Sequence, residues 1–202
     1  MTTTLISPVP NPGRFHWTVD VFYRAIDAGV FDEPKRMELV KGELWTKEIV
    51  NPPHAITTRR IARLLRGIFE PDFFVSEEKP VHLSTDGEPI PDASVARGNE
   101  AVYAARHPTN AETILVVEVA DTTVARDTGE KALLYAQAGI PEYWVSLINE
   151  RDLFVYRNPT ESGYDEPLRL TENDTVHPLA RPDVEIAVRE LLALVPSEPL
   201  PQ

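Results

Sequence analysis

The chain has 202 residues, 42% of them hydrophobic, with no cysteine and a formal charge of −12. That length suits one well-buried domain, and the lack of cysteine excludes disulfides and thiolate metal sites, as fits a reducing cytoplasm. No run approaches the roughly 18 consecutive apolar residues of a membrane span, and the acidity excludes a basic protein that coats nucleic acid, since such binding draws on Lys and Arg.

Pro8, Pro10, Pro12 and Gly13 mark residues 1–17 as an extended N-terminal arm, and the start Met1-Thr2-Thr3-Thr4 lacks the basic-then-apolar pattern of an export signal. Residues 18–195 read as a single domain, followed by a frayed, proline-rich tail at 196–202. Thr18 caps an expected helix to about Ala28, with Val19, Phe22, Tyr23 and Ile26 on one face and Gly29 as its stop. Arg36 to Val40 and Glu43 to Thr46 read as short strands around the turn Lys41-Gly42. Ile61, Leu64, Leu65, Ile68 and Phe69 follow helical spacing and predict a helix from about His54 to Phe69. Its polar side carries Arg59, Arg60, Arg63 and Arg66.

Strands are expected at Phe73 to Ser76, Pro80 to Leu83 and Ala93 to Ala96, and the run Ile114 to Ala120 reads as a strand covered on both faces. Asp127 or Thr128 should cap a helix to Ala138 that Gly139 and Pro141 end. Tyr143 to Ile148 and Leu153 to Arg157 form an expected hairpin, with weaker strands at Leu168 to Leu170 and Val184 to Ile186 and a short helix from Arg189 to Leu194. The whole reads as an α/β domain with a central mixed, partly antiparallel sheet flanked by helices and additional antiparallel hairpins.

Glu118 interrupts the most apolar run of the chain. An ionised carboxylate buried there needs a cation, a metal ion or a proton beside it. Lys131 shares a helical face with Leu134, Tyr135 and Ala138, so the helix that follows the strand can turn this ammonium toward Glu118. Asp92, after Pro91 at the opening of a small strand, supplies a second acid. Two carboxylates with open water positions suit Mg²⁺ or Mn²⁺, and with a lysine to serve water or phosphate they describe phosphodiester hydrolysis.

The ordered series Glu38 to Leu44, Pro52-Pro53-His54-Ala55, Pro91-Asp92, Val116 to Val119, Asp127 to Lys131, Tyr135, Gly139 and Glu142 to Val145 resembles the Uma-two family of restriction endonucleases, in the PD-(D/E)xK nuclease superfamily. The resemblance implies a restriction-endonuclease-like fold, with Asp92 and Glu118 as metal ligands and the Val119 carbonyl as a third. Ala120 occupies the superfamily's usual lysine position, and the family's helical lysine matches Lys131. Glu43 matches its early acid, and His54 lies near the cleft.

The expected function is a Mg²⁺- or Mn²⁺-dependent endonuclease acting on DNA, with Arg59, Arg63 and Arg66 as a stripe able to grip phosphates. Cutting both strands of a duplex calls for two active sites and hence a homodimer. The alternatives are an inactive nuclease-fold protein kept for binding or regulation, and a metal-dependent hydrolase of RNA or small phosphoesters.

Overall fold

The strand that carries Glu118 sits at the centre of a six-stranded sheet. The computed structural model describes residues 14–47 and 51–194; most of the arm at 1–17 and all of the tail at 196–202 lie outside the described residues. In chain order come α1 (Val19–Asp27), a hairpin of β1 (Met37–Val40) and β2 (Glu43–Thr46), α2 (Pro52–Phe69), β3 (Phe73–Glu77), β4 (Ala93–Arg97) and β5 (Thr113–Ala120). After them come α3 (Val124–Arg126), a π-helical turn (Asp127–Lys131), α4 (Ala132–Gln137), β6 (Glu142–Leu147), β7 (Asp152–Arg157) and β8 (Leu168–Thr171), with a last small pair, β9 (Thr175–Val176) and β10 (Ile186–Ala187).

The main sheet has the order β3-β4-β5-β6-β7-β8. Only β5 and β6 run parallel within it, because the helical segment between them supplies the crossover that a parallel pair needs. The β4–β5 pairing ends at Ala93 opposite Val117, which leaves the carboxyl end of β5 projecting past β4.

Alternation along β5 sends Leu115, Val117 and Val119 to one face, where they meet Ile61, Leu65 and Phe69 of α2. Each of these α2 side chains is fully buried, contributing about 1.5–3 kcal/mol. Val116 and Ala120 face the other way, against Tyr135, Ile140 and Tyr143. In the β1–β2 hairpin both turn residues have positive φ, Lys41 at 49° and Gly42 at 76°, the geometry that matches the twist of paired strands. A Cβ at Gly42 would stand 2.2 Å from the His16 ring, so any other residue would have to displace that side chain and adopt a strained positive φ.

The structure departs from the sequence reading at element ends and in the weakest segments. α2 begins two residues early, at Pro52, because Asn51 accepts the His54 N–H (3.0 Å) as cap and proline needs no partner in a first turn. The helix expected from Asp127 begins at Val124, and Asp127 is buried inside the π-turn rather than capping anything. Val81 and Leu83 make single hydrogen bonds to Pro89 and Gly87 instead of a strand. The weak strand near Val184 is shorter and later, pairing with an unanticipated β9. Arg189 to Leu194 holds only a 3₁₀ turn, Val188–Glu190, at its start.

Candidate active site

The projecting end of β5 and the residue that precedes β4 meet at one cleft. Asp92 is 3% exposed, and its Oδ2 accepts the Val119 N–H (2.8 Å), a donor left without a strand partner where β4 ends. In a strand the carbonyl of a residue points to the same side as its N–H, so the Val119 carbonyl also faces this edge. Lys47 Nζ lies 3.2 Å from Asp92 Oδ1 and donates to the Ile90 carbonyl (3.1 Å). His54, in the first turn of α2, brings Nε2 to 3.3 Å from Asp92 Oδ2.

Glu118 is 2% exposed, and its Oε1 accepts from Lys131 Nζ (2.8 Å) and the Tyr135 hydroxyl (2.9 Å). The helical segment after β5 packs back on its own strand, which carries both donors under the sheet. Lys131 Nζ also stands 3.6 Å from Glu38 Oε1 and 4.0 Å from Asp127 Oδ1, so one buried ammonium serves three acids. Glu38 Oε2 accepts the Ile90 N–H (3.0 Å), while its Oε1 has no hydrogen bond. Tyr143 donates its hydroxyl to the Asp127 carbonyl (2.8 Å) and so braces the π-turn.

The cleft above these groups is lined by Lys47, Asn51, His54, Asp92, Glu118, Val119, Asp121 and Lys131, among others. Its free space is about 50 Å³, room for an ion with a few waters and too little for a nucleobase. At the mouth Asp121 accepts hydrogen bonds from Asn51 and, at 2.8 Å, from Asn149 Nδ2, tying the loop after β5 to the start of α2.

The electrostatics differ between the two central acids. Burial alone would raise the pKa of Asp92, but His54, Lys47 and Lys131 outweigh it and hold the group well below the usual carboxylate range. At Glu118 burial prevails over the help from Lys131, and the charges of Asp92 and Asp127 add to it, so its pKa is pushed up to about 7. Lys131 is held above the ordinary lysine value because Glu118, Glu38 and Asp127 together outweigh its desolvation. For His54 burial is likewise outweighed by Asp92, which raises the imidazole pKa.

The structure therefore brings together Asp92, Glu118, Val119, Lys131 and His54 from the sequence reading. Glu43 stands apart: its side chain is 53% exposed and pairs with Arg14 at 3.0 Å. The acid of this hairpin that reaches the cluster is Glu38, fully buried opposite Trp45. Like Glu118, Glu38 is a carboxylate inside an apolar run, Met37-Glu38-Leu39-Val40, and its burial demands a partner on the same grounds. Arg59 and Arg63 lie on the exposed side of α2 and Arg66 pairs with Glu77 at 3.2 Å; none of the three lines the cleft. Lys47 and Asp121 carry no signal in the sequence, because their roles depend on contacts between distant segments. Tyr135 falls on the inward helical face by its spacing, but nothing local marks its hydroxyl as a donor to Glu118.

Apart from the His54 imidazole, the groups facing the cleft that could hold a metal are hard oxygens. Among the described residues no three His, Asp or Glu side chains cluster as a ready metal cage. Two carboxylates and a carbonyl remain, and a Mg²⁺-like ion, which keeps several waters, needs no more.

The sequence model of the Uma2 family, described as "Putative restriction endonuclease", matches residues 20–189. The chain belongs to the Uma2 family. A crystal structure described as "a putative nuclease belonging to DUF820" from Anabaena variabilis superposes on it with a TM-score of 0.65, covering 87% of this chain and 97% of that one at 16% identity. At that identity the likeness speaks for the fold, and it agrees with the mixed sheet flanked by helices described above. A search of curated proteins finds no match to the chain. Among the described residues of this Uma2 protein no helix is long and apolar enough to cross a membrane.

Proposed function

We propose that this Uma2 protein is a divalent-metal-dependent endonuclease that hydrolyses phosphodiester bonds in DNA. The observation that carries the reading is the meeting of Asp92, Glu118 and Lys131 at one cleft; in this reading Lys131 takes the role that Ala120 cannot. Asp92, Glu118 and the Val119 carbonyl would hold Mg²⁺ or Mn²⁺, which when bound offsets phosphate charge and acidifies a coordinated water.

The protein's own groups do the rest. Lys131 holds Glu118 in place and presents a positive charge beside the reacting phosphate. The Val119 N–H fixes Asp92 at the cleft edge. Lys47 and His54, already beside Asp92, are placed to meet phosphate oxygens. The narrow floor admits a backbone phosphate while bases stay outside, which supports cleavage set by backbone geometry. With a chain charge of −12, affinity for DNA should be low and fall steeply with salt.

The test is a plasmid-nicking assay with Mn²⁺ or Mg²⁺, run beside Asp92→Asn and a chelator control, with RNA and a small phosphodiester as competing substrates. Nicking that disappears in both controls is expected. Nicking that survives Asp92→Asn comes from something other than this cleft and overturns the reading. Linear product appearing with nicked product would mark two clefts acting together, as in a homodimer.

A further inference from the structure

Another carboxylate, outside the cleft, is buried with one oxygen left unpaired. Glu88 pairs through its backbone with Leu39 (2.7 and 3.3 Å), and its side chain, 5% exposed, ends in a recess of about 640 Å³. Tyr23 of α1, His82, Tyr103, Arg106 and His107 form the walls. Glu88 Oε2 has no hydrogen bond, and His82 Nδ1 stays 3.7 Å from Oε1. The Tyr23 hydroxyl donates a hydrogen bond to the carboxylate without completing its shell.

We propose that this recess binds an organic cation, a guanidinium or alkylammonium group, with Glu88 as its counterion. A carboxylate this buried is costly to keep ionised unless a positive group joins it. Arg106 does not play that part: both its terminal nitrogens are taken by Glu112, at 2.6 and 2.7 Å. Its guanidinium does lie 5.1 Å from the centre of the Tyr103 ring, so this wall already accepts a flat cation, and Tyr23 offers a second, partly exposed ring. The volume falls in the range of small-ligand sites. A metal ion fits less well, since Glu88 is the one carboxylate among the described residues that line the recess. Burial raises the Glu88 pKa over the opposing influence of Tyr23, His107 and His82, in keeping with a charge its own neighbours leave undercompensated. The site stands independently of the nuclease reading.

The cation can arrive on a free small molecule or on the arginine of another protein. Calorimetry on the full chain at pH 8 with agmatine, and in parallel with a blocked Gly-Arg-Gly peptide, separates the two. Saturable binding of at least one probe is expected, tighter for agmatine if the ligand is a free amine and for the peptide if it is a side chain. Glu88→Gln, equal in shape, should weaken binding at least about tenfold, the scale of one charge-assisted hydrogen bond. Tyr23→Ala, at the rim, should weaken it less, and Asp92→Asn should leave it unchanged. Equal affinity in Glu88→Gln, a loss with Asp92→Asn instead, or no saturation by either probe overturns the proposal.

Discussion

On one face of β5, Leu115, Val117 and Val119 meet Ile61, Leu65 and Phe69 of α2 in an apolar layer; on the other, Val116, Glu118 and Ala120 meet Tyr135, Tyr143 and a buried lysine. Both faces are closed to solvent to the same degree. The first is held by area and packing alone, so each side chain there matters through its volume. The second keeps a charged group that packing cannot satisfy, and its stability rests on where Lys131 and Tyr135 place their donors. Burial by itself thus makes apolar core on one side of the strand and a buried charge cluster on the other.

The largest effect should come from taking the ammonium away. Lys131→Ala leaves Glu118, Glu38 and Asp127 facing one another without it, and removing one partner of a buried ion pair costs about 3–5 kcal/mol. Urea unfolding measures it. A loss under about 1 kcal/mol would mean that the acids are compensated by protons or by Lys47 instead, and the contrast between the faces would fade.

Glu118→Gln should spare the fold, because an amide oxygen still accepts from Lys131 and Tyr135, yet cut nicking by about 10²–10³-fold through loss of the proposed metal ligand. The same variant reads out the pKa. A carboxyl whose pKa rises to about 7 on folding binds its proton more tightly in the folded state. Its stabilising contribution is complete below the ordinary glutamate range and lost as pH rises to about 7. The stability of the metal-free protein relative to Glu118→Gln should therefore fall between pH 5 and pH 8; a rise would show that pairing with Lys131 outweighs burial. Across the strand, Val117→Ala should cost about 2 kcal/mol in stability and leave nicking per folded molecule unchanged.

The two faces were not equally legible. The apolar one follows from periodicity: the spacing of Ile61, Leu65 and Phe69 and the β-branched run around Val117 each specify one element and one face. Gly42 and Gly139, both at positive φ, likewise close the elements that the sequence marks them to close. The polar face depends on distance relations that no local pattern contains. Glu38 and Glu43 sit in the same hairpin, and only the burial of β1 against the segment near Ile90 decides which acid meets Lys131. The π-turn at Asp127–Lys131 obscured the helix start, since it widens the repeat where Asp127 and Lys131 both turn inward. Lys47 reaches Asp92 across 45 positions and His54 does so from a first turn that sequence treats as a mere helix start.

The smallest effect tests how finely Glu118 is held. Tyr135 is fully buried, and its hydroxyl gives the carboxylate a second donor on the same oxygen that Lys131 uses. Tyr135→Phe keeps the ring and its packing against Tyr143, 4.9 Å away between centroids, and removes that donor alone. Because Lys131 remains in place, the loss should be about 1 kcal/mol, the net worth of one hydrogen bond. With one fewer donor the carboxylate is less stabilised, so the pH at which Glu118 ionises should move up, and the nicking rate at neutral pH should drop while its alkaline plateau stays near that of the parent. A stability loss of several kcal/mol would instead make the hydroxyl, rather than the ammonium, the main support of the charge on this face of β5.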